Sequence, residues 1–127
     1  MKKAQFDFEP QLTTDEGGVL HICFEAEAKE ITVNNMHGDG DDTDAETRTI
    51  YEAYSVRLDR PITYERVVSA IVNAEYSSDQ MQAVINNHLL DADNAEHEAE
   101  FTAMQEWRTL AKKVAREVII ATDGGTD

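Results

Sequence analysis

The chain has 127 residues, 41% apolar and 29% charged, which is the size and composition of a single globular domain and not of a disordered polymer. Eleven Lys and Arg stand against 26 Asp and Glu, for a formal charge of −15; such a surface repels nucleic acid and anionic membrane at long range and suits solubility, a basic protein partner or weak cation binding. No stretch approaches the ~18 apolar residues of a membrane span, Asp7 and Glu9 stand where a signal peptide needs an apolar run, and the lone Cys23 excludes an intramolecular disulfide framework.

These features predict one domain over residues 1–127 that is cytosolic, or belongs to an assembly built in the cytosol. Alternation predicts the first strand, with Ala4, Phe6 and Phe8 on one side and Gln5, Asp7 and Glu9 on the other, ended by Pro10. Thr13 to Gly18 reads as a turn. A second strand follows, in which Leu20, Ile22, Phe24, Ala26 and Ala28 alternate with Val19, His21, Cys23, Glu25 and Glu27; Ile31 to Val33 continue it past a bend near Lys29-Glu30. Asn34 to Glu46, with two glycines and a run of acids, reads as a mobile acidic loop. The third strand places Ile50, Glu52, Tyr54, Val56 and Leu58 on one face and Tyr51, Ala53, Ser55 and Arg57 on the other.

After Pro61 the apolar period becomes helical. Thr63 is the expected N-cap of a helix over 63–75, with Val67, Val68, Ile71 and Val72 as its stripe. Ser77 and Gln80 form a capping box for a second helix over 78–90, which carries Met81, Val84, Ile85, His88 and Leu89. Asp93 and Glu96 resemble an aspartate version of that box and open a long amphipathic helix, Asp93 to Ala121. Its apolar face holds Ala103, Met104, Trp107, Leu110, Ala111, Val114, Ala115 and Val118. Lys112, Lys113 and Arg116 lie in its last turns, where the helix dipole favours them, and Thr122 to Asp127 form a frayed tail. Strands first and helices after give an α+β fold: an N-terminal antiparallel sheet of about three strands, then three helices, the last long and amphipathic.

Chemical motifs fail on spacing. An EF-hand loop begun at Asp39 would have Asp44 at its glycine position and Ile50 at its glutamate position, so a solvated loop accounts for 34–46 better, with a weak non-EF cation site left open. Glu96-His97-Glu98-Ala99-Glu100 lacks the second histidine of a zinc helix, since Phe101 stands there, and neither His88 nor His97 has a glutamate three residues before it. There is no nucleophile elbow and no phosphate-cradling glycine loop; Cys23, inside a strand, reads as a small buried hydrophobe. The pair of short helices has no Lys or Arg on its second member, which argues against reading DNA. No residue is assigned a catalytic, cofactor or metal role, and no small-molecule substrate is evident.

One feature has two readings. Asp93, Glu96, His97 and Glu100 continue the apolar stripe of the last helix into acid. Either its first turns overhang the core, or these residues are a contact for a basic partner.

Three segments carry a family resemblance: Tyr54-Ser55-Val56-Arg57-Leu58-Asp59-Arg60-Pro61-Ile62-Thr63-Tyr64, Ala70-Ile71-Val72, and Met104-Gln105-Glu106-Trp107-Arg108. Over residues ~50–120 the chain resembles small uncharacterised proteins encoded in prophages and mobile elements of gut bacteria, some of them tail-associated. The resemblance implies a structural or accessory role, with the protein incorporated in a phage particle or acting in the cytoplasm, and brings no functional residues with it. The expectation is a non-enzymatic module acting through protein contacts, with a protein partner or self-association. The alternative is an acidic inhibitor that mimics nucleic acid and blocks a host nucleic-acid-binding protein.

Overall fold

The computed structural model describes residues 1–34, 45–91 and 93–123. In chain order these form strands β1 (Ala4–Phe6), β2 (Thr13–Glu16), β3 (Val19–Asn34) and β4 (Ala45–Asp59), then helices α1 (Tyr64–Glu75), α2 (Ser78–Leu90) and α3 (Ala95–Asp123). The fold is α+β, with an antiparallel sheet in the order β1-β4-β3-β2 preceding the helices. Residues 35–44, the middle of the predicted acidic loop, and 124–127, the end of the predicted tail, lie outside the described residues.

The sheet has four strands where three were expected, because Thr13–Glu16, read as turn, is a short edge strand pairing Glu16 with Val19 and Thr13 with Ile22. Its polar sequence suits an edge, where charged side chains face water. The reversal is confined to Gly17 (φ 66°) and Gly18 (φ 93°), a two-residue turn with both φ positive that glycine adopts without strain. Asp15 Oδ1 accepts from the Gly18 amide at 3.0 Å and locks it. β1 stops at Phe6, short of the expected span, and Phe8 is exposed. Since β1 and β2 occupy opposite edges, the link between them has to cross β4 and β3; on arrival, Leu12 O accepts the Cys23 amide at 2.9 Å.

β3 and β4 form a long hairpin, interrupted once. Phe24 pairs with Tyr54 but Glu27 pairs with Glu52, so β3 carries one residue more than β4 between those pairs. This is a β-bulge, and Glu25 sits in it at φ 54°. Leu20, Ile22 and Phe24 therefore face the helices as predicted, whereas Ala26 and Ala28 leave that face and are exposed. The irregularity falls at Glu25 and not at the expected Lys29-Glu30, through which β3 runs unbroken.

The core joins Leu20, Ile22, Phe24 and Val56 of the sheet to Val67, Ile71 and Val72 of α1 and Ala111, Val114, Ala115 and Val118 of α3. Trp107 closes one end. Its indole N–H donates to Ile71 O at 2.9 Å, and its ring stands edge-on to Tyr54 with centroids 5.1 Å apart. Met104 is fully buried beside this core, but Ala103, expected on the same face, is exposed.

The caps of α1 and α2 are those the sequence predicts: Thr63 Oγ1 accepts from the Arg66 amide at 3.2 Å, and Ser77 and Gln80 exchange the two bonds of a capping box. The start of α3 differs. Asn94, not Asp93, is the cap, its Oδ1 accepting from the amides of Glu96 (2.9 Å) and His97 (3.2 Å). Asp93 lies in the preceding turn, and the helix runs on through Thr122 and Asp123, which were expected to be tail. Among the described residues no helix is long and apolar enough to cross a membrane.

Candidate protein-contact surface

The connection between α2 and α3 brings most of the predicted contact residues to one end of the molecule. α2 has no fully buried residue, and it ends in Leu89 and Leu90, exposed to 71% and 86%. Two consecutive leucines left in water at a helix end are an apolar patch, and here acid surrounds them in sequence. Asp91 and Asp93 follow at once, and Glu96 and Glu100 are exposed on the first turns of α3.

The elbow is held by histidine contacts. His88 Nδ1 donates to Glu98 Oε1 at 2.6 Å, and its ring lies flat on Phe101, with centroids 3.8 Å apart and planes 4° from parallel. These contacts fix the end of α2 on α3 without any large buried side chain. His97 is half-buried, with Nε2 3.9 Å from Asp91 and Nδ1 4.0 Å from Glu100, outside hydrogen-bonding range in both cases. Its Nδ1 is buried without a hydrogen-bond partner. Of the four predicted residues, His97 and Glu100 thus approach each other, while Asp93 and Glu96 stand free in solvent at the helix start.

Charge separates across the molecule. From residue 67 to residue 107 there are Glu75, Asp79, Asp91, Asp93, Glu96, Glu98, Glu100 and Glu106, and no Lys or Arg. On the sheet, by contrast, acids are largely paired: Asp7 with Arg48 (2.9 Å), Glu16 with Arg57 (3.1 Å), Asp15 with Arg60 (3.1 Å), and Asp59 with Arg66 (2.9 Å). Among the described residues the only basic side chains that the acids of 78–106 meet are histidines, Glu98 at His88 and Asp91 and Glu100 near His97.

A second polar cluster, which sequence reading missed, lies on the sheet face away from the helices. Ser55 Oγ is hydrogen-bonded to His21 Nε2, Cys23 Sγ lies 3.6 Å from that same nitrogen, and Glu16 Oε2 lies 3.6 Å from His21 Nδ1. His21 and Cys23 are buried there, with the Phe6 ring 6.4 Å from the imidazole. Burial raises the Cys23 thiol above its ordinary pKa and keeps it protonated at neutral pH, the opposite of what an attacking thiolate requires. The order Ser–His–Glu is that of a hydrolytic relay, which also needs free N–H donors for an oxyanion; the Cys23 amide is committed to Leu12 O. The cluster chemically satisfies a buried histidine. His21 and Cys23 alternate onto one face in the sequence, but their meeting with Ser55 depends on the strand register. Among the described residues no group of three or more His, Cys, Asp and Glu side chains is placed to hold a metal ion.

Comparison with protein-family models, with curated proteins and with solved structures finds no match. The class of protein is therefore stated from the fold: a small acidic α+β protein with an acid-rimmed apolar end.

Proposed function

We propose that this chain is a non-enzymatic module that works by binding a protein, in the structural, assembly or accessory role that its resemblance to prophage proteins implies. One observation carries the reading: Leu89 and Leu90 stand exposed at the end of α2, within a stretch of chain, residues 67–107, that holds eight acids and no Lys or Arg. Covering a leucine side chain is worth about 1.5–3 kcal/mol, enough for two to anchor a contact. The surrounding carboxylates select a basic partner and speed its approach more than they tighten its hold. The partner that fits is a basic amphipathic segment whose apolar face meets the leucines and whose Lys or Arg meet Asp91, Asp93, Glu96 and Glu100. Mimicry of nucleic acid would use the same acids but gives the leucines no role, so protein contact is the better account.

The test is an NMR titration with a synthetic Lys/Leu amphipathic helix, run beside duplex and single-stranded DNA and RNA. The expected result is perturbation confined to α2 and the first turns of α3, with at least tenfold weaker binding by the Leu89→Ser/Leu90→Ser variant. Peptide binding indifferent to that variant, or micromolar nucleic-acid binding that weakens steeply with salt, would overturn the proposal.

A further inference from the structure

The β3–β4 hairpin is longer than the strands that flank it. β2 pairs with β3 only over Val19–Ile22, and β1 pairs with β4 only over Tyr51–Ala53. Beyond the Glu25 bulge the two strands continue as an arm, Glu27–Asn34 against Ala45–Glu52, for about 26 Å. Along β3 the arm is exposed from Glu25 through Glu30. A lone two-stranded ribbon is marginal in water, and an open edge offers a row of unpaired amides and carbonyls.

Among the described residues nothing pairs with this edge of β3 beyond Cys23, and the backbone shows which groups it presents. Before the bulge, Cys23 points its amide away from β4, to Leu12. Odd residues therefore face outward up to that point, and the inserted residue reverses the parity, so that Ala28, Glu30 and Thr32 present their N–H and C=O at the edge. The side chains beside them are Glu27 and Lys29, of opposite charge and 69% and 59% exposed even though Glu27 lies 3.1 Å from Lys3 and Lys29 3.9 Å from Glu52 of the same chain.

We infer that two copies of this chain associate through this edge, β3 against β3, antiparallel about a two-fold axis at Ala28. In that register Ala28 meets Ala28, so the small side chain sits on the axis, and Glu27 meets Lys29 of the second copy twice. The neighbouring registers work against themselves: an axis at Glu27, Lys29 or Glu30 sets two like charges face to face, which destabilises a cross-strand pair. The free edge of β4 is a poorer choice, because its one base there, Arg48, is held by Asp7 at 2.9 Å, whereas Lys29 stands at the looser distance of 3.9 Å from Glu52. The product is a four-stranded ribbon, β4-β3-β3-β4, which removes the edge and supplies the strands the arm lacks. The inference rests on the reading of the chain as a contact module, but it uses a surface remote in sequence from the α2–α3 leucines. Either can therefore fail alone.

Light scattering and sedimentation of the full chain in 150 mM salt decide it. A dimer is expected, weakened at least tenfold by Lys29→Glu and restored by the Glu27→Lys/Lys29→Glu exchange. Ala28→Pro removes only an edge donor and should abolish the dimer while circular dichroism remains that of the parent. Ala28→Cys should give a disulfide-linked dimer on oxidation, since paired positions lie about 5.5 Å apart between Cα atoms. A chain that stays monomeric at millimolar concentration, or a dimer untouched by Ala28→Pro and by the charge exchange, would overturn it. The peptide titration of the elbow reads the other surface and is unaffected by either result.

Discussion

Trp107 joins three elements with one side chain: its N–H reaches α1, its ring meets Tyr54 of β4, and Phe24 of β3 lies 5.9 Å away. Trp107→Ala removes the ring contacts and leaves Ile71 O without its donor, at a cost of about 3–5 kcal/mol. Trp107→Phe keeps most of the apolar surface and should cost less than half of that, as urea melts of the two variants will show. At the turn between β2 and β3, the Gly18 amide and then Arg60 hold the Asp15 carboxyl below the usual carboxylate range; Arg66 does the same for Asp59. A carboxyl depressed in the folded state stabilises that state above its unfolded value of about 3.9, and the contribution disappears as pH falls through the folded value. Asp15→Asn is therefore expected to melt below the parent at pH 7, and the difference between the two melting temperatures should shrink as pH falls below the ordinary carboxylate range.

Element by element, the helices differ in how firmly they are held. α1 and α3 meet through Val67, Ile71, Ala111, Val114 and Val118, all nearly inaccessible, whereas α2 buries no residue fully. Hydrogen exchange should accordingly find α2 the least protected helix, opening without global unfolding, while the amides around Ile71 and Val114 exchange only with the whole molecule. Equal protection across all three helices would contradict this. The helices were legible in the sequence because a 3.6-residue period and side-chain caps are local; Thr63 and the Ser77–Gln80 box needed no tertiary information. At α3 two neighbouring residues, Asp93 and Asn94, could both cap, and only the turn from Asp91 chooses between them. The sheet was legible only as far as alternation lasted. A bulge at a glutamate leaves no mark in composition, so the faces of Ala26 and Ala28 were assigned to the wrong side. β2 is polar because its edge is wet, and polarity is also what a turn looks like. The acidic half of the contact surface could be read from spacing along α3, but the exposure of Leu89 could not, since it fits an ordinary apolar helix stripe; Leu90 falls outside that stripe.

For the whole molecule the governing quantity is the charge of −15, of which eight negative charges belong to residues 67–107 with no base to offset them. Self-repulsion of this size opposes compaction, and raising salt from 10 to 150 mM shortens the screening length from about 30 to 8 Å. The melting temperature is expected to rise over that interval, most of all for melting of α2; a fall would mean that the ion pairs of the sheet outweigh the repulsion. α3 adds a direction to this charge. Its 29 residues span about 43 Å, with Glu96, Glu98, Glu100 and Glu106 toward one end and four bases, Arg108, Lys112, Lys113 and Arg116, against two acids, Glu117 and Asp123, toward the other. The helix is thus an electric dipole laid through the length of the fold; its acidic first turn suits the peptide dipoles there, while its last turn, ending at Asp123, carries no base, so Lys112, Lys113 and Arg116 lie short of the position the sequence reading gave them. On the contact reading proposed above, such a molecule would not approach a basic partner at random: torque would turn its α2–α3 end toward positive potential before any atoms touch, presenting Leu89 and Leu90 first.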